Sequence, residues 1–230
     1  MKNSERIVYG IAITVAIYLS TIFIGRLIHF NNAFIASSFA THTIMLLLSI
    51  FGIIAMRRNF TYHLSLPKFK FIFKPIIYAI ITTIVVNILM TIITKAAGGK
   101  IESHPLLVQL TPLQVFIFVF IYASIAEELL FRGFLLNLLE PLRETGITIL
   151  KIRLSLPIII SALMFGLAHL CLIMTGVQFF FLLRIVIFTM SLGLIAGYYQ
   201  EKYNNNAYAI IVHMSGNLLA LLGAIISQSV

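Results

Sequence analysis

Long apolar stretches separated by short polar segments make up almost the whole chain. Apolar windows of about 20 residues predict membrane-spanning helices. They lie at roughly 7–25, 33–56, 74–94, 113–139, 156–174, 179–200 and 207–226. An eighth span requires a short helix in the loop before Pro112 or in the loop after Pro141. The pattern predicts an all-α fold, a polytopic integral membrane helical bundle of about seven transmembrane helices, within a range of about six to eight.

Composition agrees with a membrane protein. Hydrophobic residues are 60% and charged residues 10% of the 230 residues, against about half and a quarter in soluble domains. Seven spans use almost all of the chain and leave no room for a separate soluble domain. Residues 1–230 are therefore expected to form one integral membrane domain in the lipid bilayer. The net charge of +9 is spread over loops and forms no basic face, so no nucleic-acid partner is expected.

Basic residues fall mainly in alternate loops. Such a bias marks the cytoplasmic side, which places the N-terminus in the cytoplasm. Two further cations, Arg132 and Arg184, fall within spans, and Arg184 is close enough to a helix end to reach the interface. Abundant Ile, Lys and Asn are typical of an AT-rich bacterial source and predict a bacterial cell membrane. Eleven cations lie on the inner side (Lys2, Arg6, Arg57, Arg58, Lys68, Lys70, Lys74, Arg143, Lys151, Arg153 and Lys202) and three on the outer side (Arg26, Lys95 and Lys100).

Glu127 and Glu128 are adjacent acids inside an apolar span, in a chain with seven acidic residues and no Asp. An ionisable group there is a functional-site hypothesis by default because its burial is costly. Positions four apart share a helix face, so Glu128 is expected to pair with Arg132 while Glu127 points about 100° away. Glu127 is then the candidate for acid/base chemistry and Glu128 for structural support. The alternative is that both acids only hold the bundle together, by pairing with Arg132 and Arg184.

Two histidines and one asparagine lie in later spans. His169 and His213 are weak evidence singly, because a membrane histidine is more often an interhelical hydrogen-bonding group than a catalyst. His213 and Asn217 are four apart and share a face, and two donors aimed at one point are what an oxyanion hole requires. Ordinary interhelical hydrogen bonds are the alternative. The other histidines, His29, His42, His63 and His104, are interpreted as surface or packing residues, and Cys171, the only cysteine, as a small core residue.

Several hydrolytic and transport chemistries lack their motifs in this chain. Without Asp, an aspartyl dyad is impossible, and neither H-E-x-x-H nor G-x-S-x-G occurs. No nucleotide-binding glycine loop is present either. The remaining constellation is glutamate with two histidines and an asparagine.

Three motifs resemble those of a known family. E-E-L-L-F-R-G (Glu127–Gly133) resembles EExxxR, Phe165–His169 resembles FxxxH, and His213–Asn217 resembles HxxxN. In this order they resemble the CPBP (Abi) intramembrane proteases, which include the type II CAAX prenyl endopeptidases. The resemblance covers roughly residues 113–226 and implies that this part is the catalytic core.

The resemblance also implies an activity and roles for the matching residues. Glu127 and His169 would activate water, His213 and Asn217 would stabilise the oxyanion, and Glu128 and Arg132 would support the site. The cofactor stays open: zinc could be held by Glu127, His169 and His213 with a fourth position free, while a metal-free glutamate mechanism is slightly favoured.

The sequence says less about the substrate and the biological role than about the chemistry of the site. The leading expectation is an intramembrane endopeptidase acting on a peptide or membrane protein that enters from the cytoplasm or the bilayer. A signalling peptide, a bacteriocin precursor or another membrane protein is favoured over a prenylated protein, which would be unusual in bacteria. The rival class is a non-catalytic membrane protein, acting in bacteriocin immunity or as a scaffold. A proton-coupled transporter is a lesser option, because no inverted repeat is evident.

Overall fold

The computed structural model describes residues 1–102, 104, 109–149 and 151–228. In these residues the chain forms seven helices and one small β-hairpin. The helices are α1 (Asn3–Gly25), α2 (Phe39–Ala55), α3 (Phe73–Ala96), α4 (Pro112–Leu136), α5 (Leu156–Ala168), α6 (Phe179–Tyr203) and α7 (Asn206–Gln228). The hairpin pairs β1 (Gly146–Ile149) with β2 (Ile152–Ser155), and 3₁₀ turns span Phe69–Phe71, Glu140–Leu142 and His169–Thr175.

Six of these helices have the length and apolar composition needed to cross a membrane, and the 17-residue α2 is a shorter seventh. The prediction of a polytopic helical bundle with about seven spans is therefore confirmed. The predicted span 33–56 was too long, because α2 begins only at Phe39. The residues before it are held as a loop by Gln114, whose side-chain amide donates to the carbonyls of Ala33 and Phe34, both at 2.9 Å.

Neither loop considered for an eighth span adds one among the described residues. The chain after Pro141 forms a 3₁₀ turn and the hairpin. Its last residue, Ser155, begins α5 by accepting a hydrogen bond from the Ile158 backbone N–H at 3.3 Å. The loop before Pro112 includes residues 103 and 105–108, so a helix in that loop lies partly outside the described residues.

Opposite ends of the bundle carry very different charge. The end that carries the N-terminus of α1 is called the basic end here, because the eleven cations assigned to the inner side belong to it. At the basic end, Arg6 donates to the carbonyls of Asn59 and Leu138, both at 3.0 Å. These bonds link the start of α1 to the segments that follow α2 and α4. At the opposite end, the Arg26 guanidinium lies 3.6 Å from the Met174 sulfur.

α4 is the central helix of the bundle. Every residue from 128 to 139 is buried, and Phe131, Phe134 and Leu135 belong to the larger apolar cluster. Without a hydrophobic driving force between helices in lipid, close packing depends on small residues. Gly10 of α1 and Gly52 of α2 supply them, because a Cβ at these positions would meet Leu135 at 3.1 Å and Phe134 at 3.4 Å.

Wide turns flank the acidic pair on α4. Val115–Ala123 and Leu129–Leu136 have the i→i+5 hydrogen bonding of a π-helix, while Ser124–Glu128 between them is α-helical. Wide turns of this kind are frequent at functional sites, because they change the direction in which side chains leave the helix. The Glu127–Glu128 pair thus lies in a short α-helical segment between two π-helical segments.

Candidate functional site

Glu128 and Arg132 form a buried ion pair within α4. The Arg132 Nη1 donates to the Glu128 Oε1 at 2.9 Å, and their side chains are 0% and 1% exposed. The guanidinium also lies over the ring of Phe165 on α5, 4.6 Å from its centroid. The predicted i,i+4 ion pair is present, and the cation–π contact links it to a second helix.

His213 of α7 contacts the carboxylate of this ion pair. Its Nδ1 lies 2.9 Å from Glu128 Oε1, which is the oxygen that also accepts from Arg132. A carboxylate in contact with an arginine can only accept, so His213 Nδ1 carries the proton and Nε2 faces away from Glu128. Glu128 therefore sets the ring orientation of His213 as well as the position of Arg132.

Glu127 lies apart from the arginine. His42 of α2 donates from Nε2 to Glu127 Oε1 at 3.3 Å, and His213 Nε2 lies 3.9 Å from Glu127 Oε2. The Glu127 side chain is 16% exposed. Three histidines, His42, His169 and His213, interact electrostatically with this carboxylate. Glu127 is thus a partly accessible carboxylate surrounded by imidazoles.

The interpretation of His42 as a surface or packing residue was wrong. Its side chain is 12% exposed and contacts Glu127 directly. The available signal was its place inside the predicted span 33–56, which makes it an intramembrane polar residue like His169. Because 85 positions separate His42 from Glu127, no spacing rule within one helix could bring the two together.

His169 ends α5 with its ring fixed from one side. Its Nδ1 donates to the carbonyl of Phe165 at 2.9 Å, so the neutral ring presents the lone pair of Nε2. The Phe165 ring packs edge-on against His169 at 5.1 Å and also contacts His213 at 5.4 Å. The phenylalanine of FxxxH thus holds both histidines and Arg132 in place.

Asn217 shares a face of α7 with His213, but the two side chains contact different groups. The Asn217 amide nitrogen donates to Ser124 Oγ at 3.2 Å and to the Val119 carbonyl at 3.4 Å, both on α4. The His213 Nδ1 proton is directed at Glu128 instead. The shared face is present, whereas the two donors do not point at one common position in this arrangement.

The suggested zinc ligands are not arranged as a metal site. Among the described residues, no group of three or more His, Cys, Asp or Glu side chains is placed to hold a metal ion. Two chemical features of a metal site are nevertheless present, since His169 and His213 each direct Nδ1 to an acceptor and leave Nε2 open. The spacing of Glu127, His169 and His213 does not fit a zinc ion.

Gly193 on α6 allows Arg132 to occupy its position. A Cβ there would collide with Arg132 Nη2 and lie 3.1 Å from the Ala162 Cα. We expect Gly193→Ala to displace the guanidinium and lower stability by about 1–3 kcal/mol, the usual effect of overpacking. Thermal unfolding in detergent measures the change. Gly223→Ala is the matched control, because nothing lies within 4 Å of a Cβ at that position; equal stability of the two variants would contradict the expectation.

Fold and site together define an integral membrane protein with a carboxylate–histidine centre inside its helical bundle. Residues 109–219 match the model of the family described as type II CAAX prenyl endopeptidase Rce1-like. Through this segment the chain is similar to the Rce1-like family, which agrees with the resemblance carried by the three motifs and supports a protease-type hydrolase. Searches of the curated proteins and of the solved structures gave no significant match. His42 lies outside the matched segment.

Proposed function

We propose that the protein is an intramembrane endopeptidase, with residues 113–226 as the catalytic core of a single membrane domain, 1–230. The observation that carries the proposal is Glu127, a carboxylate inside the bundle that is bonded to imidazole instead of arginine and is 16% exposed. A carboxylate neutralised by arginine is a poor base, whereas Glu127 accepts its hydrogen bond from His42 through Oε1 and keeps Oε2 available for water. A bacterial cell membrane with the N-terminus in the cytoplasm is part of the proposal.

Hydrolysis begins with a water between Glu127 and His169. Glu127 removes one proton as the water oxygen bonds to the scissile carbonyl carbon, and His169 Nε2 accepts a hydrogen bond from the second proton. The carbonyl oxygen becomes an oxyanion. The protonated Glu127 then returns its proton to the departing nitrogen as the C–N bond breaks, leaving a carboxylic acid and an amine.

His213 and Asn217 serve the oxyanion. With Nδ1–H directed at Glu128, His213 has a second N–H for the oxyanion only as an imidazolium, and its Nε2 lies on the side of Glu127, 3.9 Å from Oε2. The Asn217 amide is held by two long hydrogen bonds, at 3.2 and 3.4 Å, which it can exchange for a stronger acceptor. Donors in a water-poor site stabilise a developing charge far more than donors in water.

His42 acts as a positioning residue for Glu127. We expect His42→Ala to lower kcat by about 10- to 100-fold, because Glu127 loses the donor that fixes Oε1. His42→Gln, which restores an N–H donor, should recover part of the activity. A purely structural role would instead lower the thermal stability of both variants alike.

His29→Ala is the control for this experiment, because His29 is an exposed histidine in the loop before α2. Its kcat should equal that of the wild type. Full activity of His42→Ala would remove His42 from the mechanism.

The proposal can be tested without knowing the substrate. Membrane fractions from cells that express the wild type should contain new protein N-termini that are missing from cells expressing Glu127→Gln. A complementation experiment addresses the rival role in immunity or scaffolding. The wild type and the Glu127→Gln protein are each expressed in cells that lack the protein, and the phenotype of those cells is compared. If the Glu127→Gln protein restores the phenotype as fully as the wild type, the protein works by binding and the proteolytic proposal fails.

A further inference from the structure

The β-hairpin between α4 and α5 has two chemically different faces. Its register places aliphatic residues opposite one another in two cross-strand pairs, with Thr148 opposite Arg153 between them. Successive side chains of a strand point to opposite faces, so Arg153 and Ser155 share a face with Thr148. This is called the polar face here. The other, the apolar face, consists of Ile147, Ile149, Ile152 and Leu154.

The polar face is attached to the rest of the protein. Arg153 donates to the backbone carbonyls of Arg143 and Glu144 and forms an ion pair with the Glu144 carboxylate at 3.1 Å. Ser155 is buried, and its hydroxyl donates to Glu201 Oε1 near the end of α6 at 2.5 Å. Arg143 pairs with the other oxygen of Glu201 at 3.4 Å. The polar face therefore contacts the turn after α4 and the end of α6.

The apolar face points away from these contacts. Ile147 and Ile149 are each 52% exposed and Ile152 is 46% exposed. A water-soluble antiparallel sheet has the reverse arrangement, with its apolar face on the core and its polar face in water. A hairpin of two strands is also at best marginally stable in water unless something covers its apolar face. The cover must come from outside the part of the chain that the structure describes.

The lipid leaflet at the basic end is within reach of the apolar face. β2 leads directly into α5, whose first residue, Leu156, begins a segment long and apolar enough to cross a membrane. A strand of four residues is only about 13 Å long at about 3.3 Å per residue. The hairpin therefore stays close to the membrane boundary. A hairpin that runs along this boundary brings its outward face to the acyl chains.

Charge at the basic end favours phospholipid over a second protein chain. Lys151, in the turn between the strands, and Arg153 are exposed, and such side chains can extend their charged ends to lipid phosphates. Four aliphatic side chains also cover far less than the about 800 Å² per partner that a stable protein interface buries. A second copy would oppose two ends of the same sign. Each has eleven cations and only four acids, namely Glu5, Glu140, Glu144 and Glu201.

From these observations we propose that the β1–β2 hairpin is an interfacial membrane anchor. Its apolar face lies against the acyl chains of the leaflet at the basic end, and Lys151 and Arg153 contact the phosphates of the lipid headgroups. The anchor fixes the depth at which the connection between α4 and α5 lies in the membrane. It does not depend on the proposed endopeptidase function and can be tested without a substrate.

Fluorescence quenching by spin-labelled lipid tests the position of the apolar face. In a Cys171→Ser background, Ile147→Cys, Thr148→Cys and Ile149→Cys each carry an environment-sensitive fluorophore. The full-length protein is placed in vesicles of phosphatidylcholine and phosphatidylglycerol that contain a lipid with a nitroxide high on its acyl chain. Emission from positions 147 and 149 should shift to the blue and be quenched more strongly than emission from position 148.

Thr148→Cys is the matched control, because position 148 is exposed and lies on the other face of the same strand. Equal quenching at the three positions, or none at 147 and 149, would overturn the proposal. Lys151→Glu should reduce the quenching at position 149, because a carboxylate is repelled by the phosphates. Unchanged quenching in that variant would overturn the headgroup contact.

Photocrosslinking in intact cells identifies what covers the apolar face. A photoreactive amino acid replaces Ile149 in one variant and Thr148 in the other, and the products are analysed by mass spectrometry and by gel mobility. Position 149 should give adducts with phospholipid, and position 148 should give fewer of them. Capture of a second copy of this chain, or of another protein, as the main product at position 149 would overturn the proposal.

Discussion

Glu127→Gln is expected to lower the rate of peptide cleavage by about 10²- to 10⁴-fold while leaving the fold intact. The amide keeps the shape of the side chain and can still accept the hydrogen bond from His42, but it cannot take a proton from water. General-base catalysis contributes a factor of this size. Cleavage of a quenched fluorescent peptide by purified protein in detergent measures the loss, and an unchanged unfolding temperature shows that the variant is folded.

Glu140→Gln is the matched control for this variant. Glu140 is an exposed acid after α4, at the basic end, so its neutralisation should leave cleavage unchanged. A fully active Glu127→Gln protein would show that Glu127 is not the general base.

The same assay is repeated with a chelator. Cleavage that is lost with chelator and restored by zinc would establish a metal-dependent mechanism in place of the metal-free one proposed for these side chains.

Arg132→Met is expected to destabilise the protein by about 3–5 kcal/mol, the usual result of removing one partner from a buried ion pair. Its guanidinium is fully buried against Glu128 and Phe165, so its loss leaves the Glu128 carboxylate with His213 as its one remaining ion-pair partner among the described residues. The yield of folded protein in detergent and the unfolding temperature should both fall, and activity should fall with them.

A double variant distinguishes the effect of losing the ion pair from the effect of losing the packing of the Arg132 side chain. In Glu128→Gln/Arg132→Met no charge is left unpaired, and the new amide oxygen at position 128 would still accept from His213 Nδ1, so most of the stability should return. Arg57→Met, at an exposed position near the end of α2, is the control and should behave like the wild type. If the single Arg132→Met protein is as stable as the wild type, the ion pair does not support the bundle.

The family resemblance has a physical basis in these contacts. EExxxR places Glu128 and Arg132 one helical turn apart, FxxxH places Phe165 under His169, and HxxxN gives His213 and Asn217 one face of α7. Each motif is a relation between positions four apart, and such relations are fixed by helix geometry alone. That is why these residues could be selected from the sequence before any packing was known.

The sequence by itself determined the class of the fold, most of the helix boundaries, the charge difference between the two ends and the Glu128–Arg132 pair. All of these depend on local periodicity or on the hydropathy of one segment. The tertiary structure decided which helices meet: His42 reaches Glu127 and His213 reaches Glu128 across 85 positions each. It also decided that Asn217 contacts Ser124, and that the core is filled on the side of the basic end. Such relations depend on how each helix is rotated and how deeply it lies against its neighbours, and no spacing within a single helix encodes them.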